Sequence, residues 1–471
     1  MSLPNGLSLL GDSLMDQRFE VRKEQMLEEC QVRPGLFARI TDRLRQFVRP
    51  FAARLRHSSQ KEHVEPYLAG LTSALKRKNV ESIAYFHDQD RKNLQHFIGE
   101  SPWDHRPLQE ELVSQVAEGL GEPDGVIVFD PSAFAKKGTE SVGVARQWCG
   151  RLGKVDNCQV GIYMGYVSRE DHTLVDTRLY LPKSWVKDRK RRKKCGVPKE
   201  VRYQTRHELA LDMLEKQGSK LPHSWIAGDD EMGRPTHFRR ELAALNEQYL
   251  LAVPSNTTIR DLEGRRPTYQ GRGRKPKRSF QQVRSWAASL SPSKWIEIDV
   301  RDGEKGPLVM EMVKRRVVAR TEKRRIGPEE TLVVTRTSDE DGDTKYDYYL
   351  SNASIDTSLE AFARVVTSEH RIEECIKRSK SEAGLADYEV RSWLGWHHHQ
   401  VLSMIATWFL VQETRRGKKI DAGFDRSTSS RCDRAHPSSR TFTGHTSANC
   451  SEQATTSRAK RTGTLLPLET P

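Results

Sequence analysis

Between residues 35 and 120, apolar and basic side chains alternate at the spacing of an α-helix. The stretches LFARITDRLRQFVRPFAARLR and EPYLAGLTSALKRKNVESIAYF return to an apolar residue every three or four positions, which is the period of one helical face. Turn-forming residues, among them Gly99 and Pro102, divide the segment into short helices. The pattern predicts an all-α region over residues 35–120, after an N-terminal extension over residues 1–34.

From Gly125 the pattern changes to short runs of apolar and β-branched residues. The runs GVIVFD, CQVGIYMGYVS, HTLVDTRLYL, SWIAGD and YLLAVP are typical of strands, and a helical stretch from about Gln204 to Gln217 separates the third from the fourth. We expect a turn at Pro131 and Ser132, directly after the first strand. Three strands followed by a helix and a strand predict a mixed α/β sheet flanked by helices over residues 121–254.

The next hundred residues alternate apolar and polar side chains, which is the period of half-buried strands. A Gly/Arg/Lys-rich stretch, GRRPTYQGRGRKPKRSF, precedes the runs WIEIDVRD, LVMEMVKRRVVART, ETLVVTRTS and KYDYYLSN. We interpret residues 255–356 as a β-rich insertion, and residues 357–419 as a return to helix. Residues 420–471 are rich in Ser, Thr, Arg and His without any period, so this tail is predicted to be disordered.

The charge balance favours polyanionic partners. Lys and Arg number 78 against 64 Asp and Glu, a formal net charge of +14. A cationic surface gains affinity for nucleic acids by releasing their counterions. The helical region is therefore either a bundle with solvated charges or a DNA-binding module whose basic faces lie on phosphates.

Cysteine spacing and hydropathy argue against several classes of protein. The seven cysteines contain no Cys-x-x-Cys pair, which disfavours a zinc ribbon and a disulfide framework. The most apolar helical stretch, residues 401–411, falls short of the about 20 residues that cross a bilayer. The chain also starts without the pattern of a secretory signal. We expect a reduced, cytoplasmic protein with no membrane segment.

Three acidic residues are candidates for the metal ligands of a nuclease. Asp130 closes GVIVFD, Asp229 closes SWIAGD, and Glu373 lies in the helical stretch EHRIEECIKRSK. Two-metal phosphodiester cleavage needs carboxylates that hold two Mg²⁺ ions about 3.5–4 Å apart, and strand ends with one facing helix supply such oxygen ligands. Taken singly, each acid is better explained as a helix cap, a turn residue or a surface charge.

The segments around these acids resemble a known family. They are FDPSAFAKKG, SVGVARQWCGRLGKVDNCQVGIYMGYVS, WIAGDDEMGR and RIEECIKRSKSEAGLADYEVRSWLGWHHHQVLSMIATWFL. In this order they resemble DDE transposases of bacterial insertion sequences, most closely the branch related to the Tyr-x2-Arg-x3-Glu-x6-Lys signature. The resemblance covers about residues 35–419. It implies an RNase H-like mixed-sheet catalytic core with a β-rich insertion between the second aspartate and the glutamate.

The resemblance also implies roles for individual residues. Asp130 and Asp229 match the two aspartates, Glu373 the glutamate, and Lys380 the lysine seven positions on. The resemblance therefore implies that these three acids are the catalytic residues and the metal ligands. Glu373 and Lys380 lie two turns apart on one face of a helix, so the lysine can contact a DNA phosphate beside the metal site.

Two positions depart from the signature. It expects Tyr at 366 and Arg at 369, where Val366 and Glu369 stand. Arg371 is the substitute candidate for a phosphate contact. Asp230 and Glu374 compete with their neighbours for the ligand roles, because adjacent residues of a strand or helix point in different directions.

A dense basic run and a histidine triplet are further candidates. The run from Lys187 to Lys194 is either a solvated loop or a DNA-backbone contact, for which the candidate residues are Arg189, Arg191 and Arg192. The triplet at residues 397–399 cannot chelate one ion from a regular helix, since adjacent helical residues point about 100° apart. We interpret these histidines as packing or surface residues.

Taken with the resemblance, these features predict a Mg²⁺-dependent DNA endonuclease and strand transferase that uses two ions, with Mn²⁺ as an alternative. Its expected partners are double-stranded DNA, as terminal repeats and as target, and further copies of itself, at least as a dimer. We expect it in the cytoplasm at the nucleoid. The altered signature keeps a second interpretation open, a catalytically inactive DNA-binding protein derived from such a transposase.

Overall fold

The computed structural model describes residues 39–273, 276–303, 306–338 and 344–432. Residues 1–34 and 433–471, which were assigned to the extension and to most of the predicted tail, lie outside these ranges. The chain divides into two compact units at Lys418, and the architecture below is that of the first unit. No helix within the described ranges is long and apolar enough to cross a membrane.

The helices predicted for residues 35–120 are confirmed. In chain order they are α1 Ile40–Ala53, α2 Ser58–Leu71, α3 Val80–Phe86, α4 Arg91–Gly99 and α5 Arg106–Leu120. Side-chain caps start two of them: Asn79 accepts the N–H of Ser82, and Asp90 accepts the N–H of Asn93, which satisfies backbone donors that the first turn leaves unpaired. Their apolar faces are buried in the main hydrophobic core.

Strands form at all five runs predicted between residues 121 and 254, and a further strand forms at ARQWC. In chain order they are β1 Val126–Ala135, β2 Ala145–Cys149, β3 Lys154–Val167, β4 His172–Leu179, β5 Trp225–Gly228 and β6 Tyr249–Ala252. β1 is central, with β3 antiparallel on one side and β5 parallel on the other. β3 also pairs with β2 and β4, and β5 continues in parallel to β6.

The predicted turn at Pro131 and Ser132 is wrong. β1 continues to Ala135, with Pro131 opposite Ile162 of β3. The pairing of β1 with β5 ends at Phe129, so one edge of β1 is open beyond that residue. A proline lacks the N–H that a central strand needs, and an open edge is where it is tolerated.

Helices cover the sheet and connect its strands. In chain order they are α6 Lys183–Lys187, α7 Arg189–Lys194, α8 Arg206–Gln217, α9 Asp230–Gly233 and α10 Thr236–Ala244. α8 confirms the helix predicted near residues 204–217. It starts with a capping box, in which Thr205 and Glu208 satisfy each other's backbone N–H groups.

The strands predicted for residues 255–356 are present and extend the same sheet. They are β7 Thr258–Asp261, β8 Gln281–Gln282, β9 Ile296–Gly303, β10 Gly306–Arg320, β11 Ile326–Ser338 and β12 Thr344–Ser351, with α11 at Val283–Ala288. β12 pairs antiparallel with β6, and β11 and β10 follow outward. This half has a hydrophobic cluster of its own, which includes Ile259, Trp286 and Leu332.

Two long helices follow, α12 Leu359–Glu382 and α13 Trp393–Cys432. α12 lies close to β3, because a Cβ at Gly165 would come within 2.8 Å of Cγ1 of Ile372. Only glycine permits so close an approach of helix and strand. The residues of α13 beyond Lys419 belong to the second unit and to the predicted tail.

Candidate active site

The structure places the three predicted acids around one cleft. Asp130, Asp229 and Glu373 line a cavity of about 730 Å³, together with Lys380 and Arg206. They come from β1, from the end of β5 and from α12. Residues far apart in the chain therefore meet at one edge of the sheet.

The two aspartates occupy matching positions on parallel strands. The register of β1 and β5 pairs Phe129 with Gly228, so Asp130 and Asp229 follow at the same level of the sheet. Asp229 also caps α9, since its Oδ1 accepts the N–H of Met232 at 3.0 Å. The helix-cap explanation and the site explanation thus both apply to Asp229.

The cleft crowds negative charge. Burial raises the pKa of Asp130 well above its usual range, Asp229 and Glu373 raise it further, and Lys380 opposes them. Burial likewise raises the pKa of Asp229 to about 7, against the N–H of Met232, which lowers it. Carboxylates that repel one another in a poorly solvated cleft are the arrangement that a cation would relieve.

A fourth acid lies close enough to the aspartates to interact with them electrostatically, although it is not among the residues that line the cavity. Burial raises the pKa of Glu369 to about 8, and the nearby charges of Asp229 and Asp130 raise it further. Glu369 precedes Glu373 by one turn of α12, on the same face. The side chain of Glu373 is 77% exposed, whereas Glu369 is half-buried. In the sequence Glu369 was considered only as a departure from the signature, although it lies four residues before Glu373.

Lys380 reaches the same cleft from the next turns of α12. Its Nζ donates to the Ser132 hydroxyl at 2.7 Å and lies 5.0 Å from the centre of the Phe134 ring. Both contacts are on β1, beyond Asp130. The ammonium group is thus held beside the carboxylates, where a phosphate bound in the cleft would meet it.

Arg206 and Glu231 are cleft residues that sequence reasoning missed. Arg206 starts α8, and its Nη1 donates to Oε2 of Glu231 at 2.7 Å. Both line the cavity with the three acids. Glu231 lies two residues beyond Asp229, but nothing in the local pattern indicated that α8 would bring an arginine to it.

The rival acids lie elsewhere. Among the described residues that line the cleft, neither Asp230 nor Glu374 appears. Asp230 instead pairs with Arg234 at 3.1 Å. Glu374 is exposed on another face of α12, about 100° around the helix from Glu373.

Arg371 is placed away from the carboxylates. It lies two residues before Glu373, about 200° around the helix. Its Nη1 donates to the carbonyl oxygen of Ser168 at 2.6 Å, and its Nε lies 3.3 Å from Nδ1 of His172. In this structure Arg371 ties α12 to the connection between β3 and β4.

The basic run divides into two groups. Arg191 stacks on the Trp185 ring at 4.0 Å and donates to the carbonyl oxygen of Thr139. Arg192 donates to the carbonyl oxygens of Pro198 and Val201, each at 2.8 Å. The remaining cations of α7, which are exposed, are Arg189, Lys190, Lys193 and Lys194.

The histidine triplet is buried in the core, as the packing interpretation predicts. His399 accepts the hydroxyl of Tyr67 at Nδ1, 2.8 Å away, and its Nε2 donates to the carbonyl oxygen of Gly384 at 2.9 Å. Each bond suits the neutral ring. Burial accordingly lowers the pKa of His399 to about 4.

The donors of the cleft fit a divalent cation in kind. Asp130, Asp229 and Glu373 offer carboxylate oxygens, which hard cations such as Mg²⁺ prefer. Within the described ranges, however, no three His, Cys, Asp or Glu side chains are arranged so that they could hold a metal ion together. The carboxylates are thus ligands of the right kind for a divalent cation, but in this structure their side chains are not arranged to surround one.

Known proteins share sequence with this chain. Residues 50–307 match the family model described as DDE superfamily endonuclease. The chain is also 30% identical over 195 residues to a probable transposase for insertion sequence element IS701 from Microchaete diplosiphon, over 40% of this chain and 47% of that protein. It therefore spans about half the length of this curated relative.

A solved structure was also found to be similar in part. It is a cryo-EM structure of a piggyBac transposase synaptic complex with hairpin DNA. The match covers 77% of this chain and 68% of that one, with 9% sequence identity and a TM-score of 0.37.

Proposed function

This chain belongs to the DDE superfamily of endonucleases, whose model matches more than half of it, and we propose that it is the transposase of a bacterial insertion sequence. One observation carries the proposal. Asp130 lies within β1 and Asp229 directly follows β5 at the same level of the sheet, and both line one cleft with Glu373. Converging carboxylates at strand ends, with one more from a covering helix, suit phosphodiester chemistry.

We infer that the catalytic core is RNase H-like. The order β4–β3–β1–β5–β6, with an antiparallel first half and a parallel second half, supports this. In this proposal the core comprises residues 121–254 and 357–419, and residues 255–356 are the insertion between Asp229 and Glu373. The helical region over residues 35–120 is proposed to bind DNA.

In the proposed site Asp130, Asp229 and Glu373 hold two Mg²⁺ ions, or Mn²⁺ in their place. When bound, such ions supply Lewis acidity at the attacking and leaving oxygens of a phosphodiester. Glu373 has the freedom to turn inward, because its side chain is largely exposed. Lys380 is held by Ser132 where it can neutralise the phosphate.

The proposed reaction has two steps. Hydrolysis at the element ends frees 3′-hydroxyl groups, and these then attack phosphates of the target DNA, where the new bond replaces the bond to the target strand's own 3′-oxygen, which leaves as a hydroxyl group. The net charge of +14 favours double-stranded DNA as the partner in both steps. Because two ends must be held together, we propose that the protein acts as a homo-oligomer, at least a dimer.

A plasmid-nicking assay tests the proposal. The full chain with Mg²⁺ should convert supercoiled DNA to nicked circles, and Asp229→Asn should not. Asparagine caps helices as well as aspartate does, so this variant should fold and bind DNA like the wild type. Wild-type protein that binds DNA but never nicks it would instead support the inactive DNA-binding derivative.

A further inference from the structure

An exposed tryptophan stands at the wall of the carboxylate cleft. Trp148 of β2 is 55% exposed and lines the same cavity as Asp130, Asp229 and Glu373. Tryptophan carries one of the largest apolar surfaces of any side chain, and leaving it in water forgoes the burial that usually stabilises a fold. The exposed indole is therefore available to contact a ligand that binds in the cleft.

The local structure turns this side chain outward. Along β2 exposure alternates, so that Arg146 and Trp148 are exposed whereas Cys149 is buried. Trp148 lies opposite Val155 of β3, which is 51% exposed, and Leu152 in the turn between the strands is 43% exposed. Trp148 and Val155 thus present apolar surface side by side, and Leu152 exposes more at the turn of the same hairpin.

The cavity that Trp148 lines is crowded with carboxylates, but it also holds the cations to which a phosphate would bind. Lys380, Lys377 and Arg206 line the cavity with Trp148, and cations beside an aromatic ring are the combination that binds single-stranded nucleic acid. A phosphate drawn to these cations would bring its own base, or the adjoining one, against the hairpin. Inside a duplex the base faces are already stacked, so only an unpaired or extruded base offers a face to the indole.

We propose that Trp148 stacks on an unpaired base of the DNA strand whose phosphate enters the carboxylate cleft. This inference rests on the proposed function and deepens it, since it makes the hairpin of β2 and β3 the element that holds the strand near the cleavage point open. Val155 and Leu152 extend the apolar surface on which the base lies. The class of ligand is single-stranded DNA, or duplex DNA with an unpaired junction.

Binding measurements without cleavage test this inference. The probes are an oligothymidylate of about 12 nucleotides and a duplex of the same length, both in EDTA. Trp148→Ala should bind the single strand about ten-fold more weakly than the wild type, which is about 1.4 kcal/mol and within the range of one stacked base. The duplex, held through its phosphates, should change by less than about two-fold. Trp148→Phe should recover most of the loss, because phenylalanine also stacks.

Matched controls separate stacking from other effects. Leu245→Ala removes another exposed apolar side chain, 50% exposed and at the end of α10, and should leave both affinities unchanged. A 2-aminopurine base in the single strand should be quenched by the wild type and by Trp148→Phe, but not by Trp148→Ala.

Three outcomes would overturn the inference. Trp148→Ala could bind the single strand as the wild type does, or it could lose both probes equally, or it could change only the oligomeric state. A wild type that binds neither probe and nicks no plasmid would instead refute the proposed function itself. The two failures are therefore distinguishable.

Discussion

At the scale of single residues, Glu373 carries the sharpest prediction. Glu373→Gln should reduce strand cleavage by orders of magnitude, because it removes the negative charge that a metal ligand supplies. Folding should barely change, since the side chain is 77% exposed and Glu and Gln have close helix propensities. Affinity for DNA should persist, because it rests on Lys and Arg. Plasmid nicking, thermal unfolding and gel-shift titration measure the three quantities.

Two neighbouring glutamates serve as controls for that variant. Glu374→Gln, on another face of α12 and outside the lining of the cleft among described residues, should remain active. Glu369→Gln tests the acid that the structure adds to the group. If Glu369→Gln abolished nicking while Glu373→Gln did not, the ligand would be one turn earlier on α12 than the sequence resemblance implies.

At the scale of elements, the contact between α12 and β3 positions the glutamate. Gly165→Val should push α12 away from the sheet, because its side chain must occupy the space of Ile372. Overpacking of this kind costs about 1–3 kcal/mol, and it should reduce nicking as well because it displaces Glu373. Chemical denaturation and nicking assays measure the two effects.

A compensating substitution and a neutral control test whether the close packing of Ile372 against Gly165 is the cause. Combining Gly165→Val with Ile372→Ala should restore part of the stability, since the smaller side chain makes room. Gly99→Ala, where an added Cβ meets no atom within 4 Å, should be neutral in both assays. Equal damage from Gly165→Val with and without the second substitution would show that close helix packing is not the reason.

The buried histidines of α13 predict how stability responds to acid. The ring of His399 has a pKa of about 4 in the fold and about 6.5 in an unfolded chain. The contribution of the neutral His399 ring to the free energy of unfolding is therefore present above about pH 6.5 and is lost as the pH falls toward 4. Each such histidine steepens the fall by up to about 1.4 kcal/mol per pH unit.

Denaturation at a series of pH values measures that slope. His399→Gln should flatten the dependence between about pH 6.5 and about pH 4 by nearly one proton, even if it lowers stability at neutral pH. An unchanged slope in this variant would mean that His399 is already protonated in the fold.

At the scale of the whole molecule, the exposed part of the basic run is predicted to attract DNA without reading its sequence. Replacing Arg189, Lys190 and Lys193 with Ala should weaken binding to all sequences alike. Each lost phosphate contact should flatten the dependence of log K on log salt by about 0.9. Titrations at several salt concentrations measure this slope, and an unchanged value would exclude α7 from the path of the DNA.

The control for this surface uses the partly buried arginines of the same run. Arg191→Ala and Arg192→Ala remove bonds to the carbonyl oxygens of Thr139, Pro198 and Val201. They should lower the unfolding temperature before they alter the salt slope. In this run the partly buried arginines are expected to stabilise the fold, and the exposed cations are expected to attract DNA. Only the exposed residues therefore test DNA binding.

Local pattern alone predicted most elements, and the resemblance to a family indicated which acids form the candidate site. Period and turn residues located the helices and strands, because these depend on neighbouring side chains. Asp130 and Asp229 each stand at the end of a strand-like run, where a carboxylate can face a site, but only the resemblance distinguished them from caps, turn residues and surface charges. Pro131 was one exception, because its place in a strand depends on where the neighbouring β5 ends, and the strand β2 was another.

Long-range pairing decided what local pattern could not. The strands after residue 255 extend the first sheet because β12 pairs with β6, a register that no short window of sequence contains. Packing of α12 on β3 placed Glu373 and Lys380 at the cleft with the aspartates and Arg371 away from it, and the β2–β3 hairpin brought Trp148 to the same cleft. The sequence by itself determined which residues could do chemistry. Tertiary structure decided which of them share a site, because burial and proximity depend on residues distant along the chain.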